Sequence, residues 1–380
     1  MSNGSRTRAW VEIDLAALRA NFQVVRQRAG TGRGVLPMVK ANAYGLGVEQ
    51  VVRALEPFQP WGYGVATVHE GVELRALGIA RPILVATPVP PGEEALLVSA
   101  GLTPSISDLA SLRRLRAAAE AAGADVDFHV EIDTGMGRAG FDAAAASRWG
   151  AELLDAKGAL RWTGAFTHFH SADEPAGAGA TRAQARRFEE ALAALPVDRA
   201  ELLVHAANSA AALRWLELGY DLVRPGIFLY GGRVAPVDET TTPAPAPVVA
   251  LRARLTYVRD VSPGTTSGYG ATYAAAQGER WATVAIGYGD GLPRALGNAG
   301  TVLVRGARAP IRGRVSMDSI VVDVTGIAGA APGDVATIIG ADGGMTAALD
   351  EVAGAAGTIG YEMLTRMGAR LERVYAEGPA

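Results

Sequence analysis

Between about residue 34 and residue 230 the chain alternates short apolar β-type runs with longer helical stretches, eight times over. The candidate strands are residues 35–40, 62–66, 82–86, 102–106, 126–133, 162–167, 202–205 and 221–224. The helical patterns between them commonly end at a glycine, as at Gly78, Gly101, Gly123, Gly158 and Gly219, which suits helix C-caps. Eight consecutive βα units are the count of a (β/α)8 TIM barrel. An open doubly wound sheet is the competing arrangement, but eight regular units exceed its usual strand number.

The segment 240–247 carries prolines at alternate positions, Pro243, Pro245 and Pro247, and predicts an extended connection. Beyond it the texture changes. Residues 248–261, 281–286, 301–304, 315–324 and 334–339 read as strands set off by Gly and Pro turns, with a helical insertion near 345–357. The expected organisation is a barrel over 10–240 and a mostly-β domain over 248–380, with residues 1–9 packing on the latter.

Hydrophobic residues make up 49% of the 380, enough for a large core, and the chain has no cysteine. Disulfides, thiolate nucleophiles and Cys-ligated metal centres are excluded, and no metal is expected. A net charge of −3 argues against nucleic-acid and anionic-membrane partners. The stretch after Arg6 and Arg8 is broken by Glu12 and Asp14, so it is no signal-peptide core. No run approaches the ~20 apolar residues of a membrane helix. A cytoplasmic protein is expected. Of the 36 Lys and Arg only two are lysines, Lys40 and Lys157. In such a chain a lysine stands where arginine cannot serve, because only lysine readily loses its proton and attacks carbon.

In a barrel the chemistry gathers at the C-terminal strand ends. Lys40 ends the first strand, where apolar walls would lower its pKa. Lys157 precedes Gly158 at a helix C-terminus, and the helix dipole accounts for it. After strands seven and eight come Asn208-Ser209, opening a helix, and Arg224-Pro-Gly226-Ile227, a pattern suited to a phosphate or to ordinary capping. A reactive lysine and a phosphate pocket in one barrel mouth together suggest pyridoxal phosphate, which needs a Schiff-base lysine, a phosphate anchor and a partner for its ring nitrogen. Arg138, in the glycine-rich Asp133-Thr-Gly-Met-Gly-Arg138, suits bidentate binding of a carboxylate. For His69, His129, His170 and His205 a structural role is the reading. Tyr269 and Tyr288 are flanked by glycines, a setting common in turns.

Jointly these motifs resemble the alanine racemase family. The matching pieces are Val39-Lys-Ala-Asn-Ala-Tyr-Gly45, Asp133-Thr-Gly-Met-Gly-Arg138, Thr167-His-Phe169, Asn208-Ser-Ala210, Arg224-Pro-Gly-Ile227, Tyr269-Gly-Ala-Thr-Tyr273, Ile286-Gly-Tyr288, Arg314-Val-Ser-Met-Asp318 and Gly360-Tyr-Glu362. They stand in family order over nearly the whole chain. The resemblance implies a fold-type III pyridoxal phosphate enzyme that interconverts L- and D-alanine by two bases on opposite faces of Cα and so supplies D-alanine for the cell wall. It implies a homodimer with shared active sites. Lys40 would carry the cofactor and serve the D side; Tyr269 from the second subunit would serve the L side. Arg224 would bond the pyridine nitrogen and keep it unprotonated, and His168 would couple Tyr269 to Arg224. Tyr44, Ser209, Gly226, Ile227 and Tyr361 would hold the phosphate, with Asn208 beside them. Arg138 and the Met317 backbone would bind the substrate carboxylate, and Tyr288 and Asp318 would line the partner-side entrance.

Two positions depart from the family. A carbamylated lysine is common where this chain has Glu131; the expectation is that this carboxylate pairs with Arg138 and replaces the carbamate. Leu46 stands where many relatives carry histidine, which bears on substrate preference. The rivals are a serine or broad-specificity small amino-acid racemase, the related decarboxylases and a non-catalytic pyridoxal phosphate carrier. The decarboxylases normally use a cysteine, which this chain lacks, and carriers resemble the barrel alone.

Overall fold

A computed structural model describes residues 8–158, 160–236 and 241–378. The remainder of the expected N-terminal packing segment, residues 1–7, and Thr240 at the expected boundary lie outside the described residues.

Six barrel strands pair in parallel in the order Tyr63–Val65, Ile83–Pro88, Thr103–Ile106, Asp127–Asp133, Arg161–Phe166, Leu203–His205. The other two, Gly34–Val35 and Leu222–Val223, pair with each other, also in parallel. Backbone bonds close both seams. Asp221 N donates to Val204 O at 3.0 Å and Arg224 N to Ala207 O at 2.8 Å on one side; Val39 N donates to Gly64 O at 2.8 Å on the other. The result is the eight-stranded barrel. Its helices follow from local signals. Thr67 and Glu70 form a capping box at the start of Val68–Ala76, Asp108 caps Leu109–Ala122, and Gly123 ends that helix in the left-handed conformation.

The first strand is shorter than residues 35–40. Ladder pairing with Leu222–Val223 stops after Val35: Leu36 N and Met38 N still donate to Val223 O and Pro225 O at 2.8 Å, but Pro225 has no N–H to return. Met38 rejoins as an isolated parallel bridge to Gly64, and Lys40 begins a tight turn.

The second sheet has nine strands, built around the 13-residue Val249–Val261. That strand pairs antiparallel with Val335–Asp342, with Glu279–Val284 and with Ala9–Asp14. Ala9–Asp14 in turn pairs in parallel with Glu372–Ala376 near the other end of the chain. The strand that precedes the barrel in sequence therefore belongs, by its hydrogen bonds, to the β-domain. Within the pair Ala9–Asp14 and Val249–Val261, buried Glu12 takes Arg252 Nε at 2.7 Å and Trp10 Nε1 at 2.8 Å.

The expected helix near 345–357 is a hairpin followed by a shorter helix. Gly343 and Gly344 both take positive φ, and such a pair turns Val335–Asp342 back into the strand Met345–Ala347 before the helix Leu349–Ala355 begins. Residues 315–319 are likewise not strand: only Ile320–Asp323 pairs. The preceding loop carries Met317 and Asp318.

Candidate active site

At the C-terminal ends of the barrel strands lies a cavity of about 680 Å³. Lys40 is on its wall. After it the backbone winds as a single left-handed turn: Ala41, Asn42, Ala43 and Tyr44 have φ between 52° and 55°. None is a glycine, and each such residue costs roughly 1–2 kcal/mol, so neighbouring groups must hold the turn. Glu70 Oε1 accepts from Ala41 N at 2.6 Å, Asn42 Oδ1 from Val48 N at 2.7 Å, and Gly45 O from Arg373 Nε at 2.8 Å. Tyr230 Oη donates to Met38 O at 2.8 Å, and its ring stacks on that of Tyr44 at 4.6 Å. The turn places Lys40 at the mouth with Tyr44 folded beneath it. Burial lowers the Lys40 pKa, the charges of Arg138 and Arg224 lower it further, and Glu70 opposes them. Lys157 is, as expected, the C-cap residue of Ala146–Ala156, and its ammonium donates to Leu160 O at 3.4 Å.

Arg224 lies at the cavity floor, 4% exposed. One Nη donates to His205 Nδ1 at 2.6 Å; the other donates to Thr167 O at 2.9 Å and stands 3.5 Å from His168 Nδ1. A guanidinium has only donors, so His205 Nδ1 is an acceptor and its proton sits on Nε2. That Nε2 donates to His129 Nδ1 at 2.8 Å. The chain of bonds requires both imidazoles to be neutral. Burial, seconded for His205 by the Arg224 charge, drives both pKa values down, to about 4 for His129. His168 falls to about 3 from burial and the charges of Arg224, Arg138 and Lys40. Arg224 is lowered to about 10 by burial, against the pull of Glu131, and stays a cation at neutral pH. With both Nη groups occupied, its Nε has no hydrogen-bond partner among the described residues.

The opposite end of the cavity is a polar cradle. Ser209 Oγ accepts from Gly226 N at 2.7 Å, and Asn208 Oδ1 caps the helix Ser209–Arg214 through Ala211 N. Tyr44, Gly226, Ile227 and Tyr361 complete its lining. Gly226 is required by space: a Cβ there would meet Tyr44 Oη at 2.2 Å. Lys40, Tyr44, His168, Asn208, Ser209, Arg224, Gly226, Ile227, Tyr361 and Arg138 thus come together in one cavity.

Others do not join them within the chain. Tyr269 sits in the tight turn Tyr269–Ala271 of the β-domain and is 71% exposed. Tyr288, Met317 and Asp318 are also exposed; Gly289 N donates to Met317 O at 2.9 Å and Tyr288 N to Ser316 O at 3.0 Å, tying their two loops together. Glu131 is buried, accepting from Ser107 Oγ at 3.4 Å. No ion pair joins it to Arg138 among the described residues. Arg138 is on the exposed part of a loop that the Asp133 carboxylate folds on itself by taking Gly135 N and Gly137 N. Burial raises the Glu131 pKa, and the through-space charges of Arg138 and Arg224 favour its ionised form. Reading the sequence gave His205 and His129 no part in the site and passed over Glu70. Two of these three stand on barrel strands: His129 two residues before Glu131 on the same strand, and His205 two strands over, in register with Glu131 through Phe166; that register was the available signal.

The donor set fits pyridoxal phosphate: a desolvated lysine, a buried guanidinium with a free Nε, and a hydroxyl-and-amide cradle a side chain at 226 would fill. Fold and site define a barrel enzyme of the lysine-anchored pyridoxal phosphate class. The comparisons specify it further. The profile of the alanine racemase N-terminal domain matches residues 13–234, and that of the C-terminal domain matches residues 248–375. The alanine racemase of Syntrophobacter fumaroxidans is 40% identical over 373 residues, 98% of each chain. The crystal structure of alanine racemase from the D-cycloserine producer Streptomyces lavendulae superposes with a TM-score of 0.90 at 37% identity, covering 99% of both chains. That of Bartonella henselae alanine racemase with covalently bound pyridoxal phosphate gives 0.88 at 28% identity, covering 97% of this chain and all of that one. The chain belongs to the alanine racemase family.

Among the described residues no helix is long and apolar enough to cross a membrane, and no group of three or more His, Asp or Glu could hold a metal ion.

Proposed function

We propose that this protein interconverts L- and D-alanine with pyridoxal phosphate held on Lys40, as a cytoplasmic homodimer whose active sites are shared, supplying D-alanine for the cell wall. The observation that carries this reading is the division of the site: one half lines the barrel cavity around Lys40, and the other half, Tyr269 with Tyr288, Met317 and Asp318, is exposed on the β-domain. A second copy supplies the missing half when Tyr269 of the partner subunit reaches the cavity. We also group Ala9–Asp14 with the unit 248–380, because it pairs there.

Bound pyridoxal phosphate supplies an electron-withdrawing ring that makes the amino acid's Cα–H acidic. Tyr44, Asn208, Ser209, Gly226, Ile227 and Tyr361 hold its phosphate. Arg224, fixed by His205 and Thr167 O, would offer its Nε to the ring nitrogen as a donor that transfers no proton at neutral pH. Lys40, its pKa lowered by burial, exchanges a proton at one face of Cα. Tyr269 of the partner subunit exchanges it at the other. His168, kept neutral, lies between Arg224 and that tyrosine. Arg138 and the backbone of Met317 take the substrate carboxylate, Tyr288 and Asp318 line the entrance, and Glu131 sets the charge behind Arg138.

The test is racemisation of L-alanine by the purified protein. Lys40→Arg should abolish both activity and the visible absorbance of the bound cofactor in a folded protein. Tyr269→Phe should abolish turnover and leave that absorbance in place. No turnover by the unaltered protein, or full turnover by Tyr269→Phe, would overturn the reading.

A further inference from the structure

Glu70 does more than cap a helix. Its Oε2 accepts from Ala66 N at 2.8 Å and Thr67 N at 3.2 Å, and its own N–H donates to Thr67 Oγ1 at 3.2 Å. Those contacts are the capping box of the helix Val68–Ala76. They leave Oε1 unused, and Oε1 accepts from Ala41 N at 2.6 Å. Ala41 is the residue after Lys40 and the first of four with φ in the left-handed region. Among the described residues no other side chain bonds the Ala41 amide. One carboxylate therefore fastens the lysine's turn to the second barrel strand's end and to the helix that follows it.

We propose that Glu70 is a positioning residue for Lys40, holding the left-handed turn so that the amine stays aimed into the cavity. The inference rests on the role given to Lys40 above. A left-handed turn of non-glycine residues relaxes toward right-handed or extended backbone once its ties go. Relaxation at Ala41 swings the Cα–Cβ bond of Lys40. The charge of Glu70 also reaches the lysine, raising its pKa against the burial and the Arg138 and Arg224 charges that depress it. The other titratable groups bordering the lysine's cavity are His168, His170, Tyr44, Tyr361, Asp173 and Glu362.

Four purified proteins with bound cofactor decide the matter: unaltered, Glu70→Ala, Glu70→Gln and Thr67→Ala. Thr67→Ala removes the cap hydroxyl and keeps the Oε1 bond to Ala41. Glu70→Gln keeps an acceptor for Ala41 but sets an amide N–H2 against Ala66 N and Thr67 N. Each protein is measured for kcat and KM on L-alanine, for amide hydrogen exchange in the peptide spanning residues 38–46, and for melting. Glu70→Ala should lower kcat by on the order of tenfold or more, the scale set by small misplacements of reacting groups, with KM within about twofold, and should speed exchange in 38–46. Glu70→Gln should fall between, and Thr67→Ala should match the unaltered kcat and exchange. If Glu70→Ala keeps kcat and exchange, or if Thr67→Ala loses as much kcat as Glu70→Ala, the positioning role is overturned. Inactivity of the unaltered protein would instead strike at the role of Lys40.

Discussion

Acid should unfold this protein early, and two buried imidazoles and a half-buried one set the scale. His129, His205 and His168 lie in the barrel's interior and mouth, and burial holds the first near pKa 4 and the last near 3, with His205 also well below its ordinary value. In the unfolded chain each titrates near 6.5. A base whose folded pKa is depressed takes up its proton more readily in the unfolded state. Stability is therefore intact above about pH 6.5 and is lost as pH falls toward the folded values. Each imidazole contributes a slope of about 1.4 kcal/mol per pH unit, so three contribute about 4 kcal/mol per unit once the unfolded chain is protonated. His129 alone removes about 3 kcal/mol by pH 4. Two units below pH 6.5 therefore remove about 8 kcal/mol, a large share of a typical stability of roughly 5–15 kcal/mol. Thermal melting with bound cofactor from pH 8 to 4, at constant ionic strength, reads this directly. His129→Leu should be less stable at pH 8, since His205 Nε2 loses its acceptor, yet its slope should be shallower by about 1.4 kcal/mol per unit. A melting temperature flat from pH 7 to 5, or an unchanged slope in His129→Leu, would refute the assignment of buried neutral imidazoles.

Other outcomes follow from the same geometry. Gly226→Ala drives a methyl against Tyr44 Oη, which stands 2.2 Å from the position of the new Cβ. At about 1–3 kcal/mol for such overpacking, cofactor affinity should weaken roughly 5- to 150-fold by absorbance titration, with a smaller loss in the double variant with Tyr44→Phe. Glu131→Gln should raise the KM for alanine, since it removes the buried charge behind Arg138; unchanged KM and kcat would dismiss the role given to Glu131. Arg252→Ala removes the charged hydrogen bond to buried Glu12 and should cost about 1.5–3 kcal/mol in denaturant unfolding, with kcat little altered.

The barrel was readable because its information is local. Eight apolar runs, capping residues such as Thr67 and Asp108, and glycine stops such as Gly123 each act within a few residues. The misreadings were local too. Residues 35–40 look like one strand until Pro225 on the neighbouring strand fails to return a bond, and 345–357 looks helical until Gly343 and Gly344 turn it into a hairpin. The site was legible where a residue type is chemically singular: one lysine at a strand end in a chain with two, an arginine before Pro225-Gly226, a tyrosine between glycines. It was not legible where the role comes from a contact between distant segments. His205 and His129 are separated by 76 residues and meet only because their strands flank the one carrying Gly164, whose missing side chain leaves room for the rings between them. Glu70 reaches Ala41 across 29 residues because the ends of the first two barrel strands lie side by side.

By itself, the sequence determined which elements form and which side chains carry reactive chemistry, since propensity, periodicity and functional-group pKa are properties of residues and their near neighbours. Tertiary structure alone decided the rest. It closed the barrel between the first and last strands and placed Ala9–Asp14 in the other domain's sheet. It forced two imidazoles to be neutral by aiming a guanidinium at one of them. It left Tyr269 exposed, away from the cavity that holds Lys40. Each of these depends on long-range burial and on which surfaces meet, and neither is encoded within the span of one helix or strand.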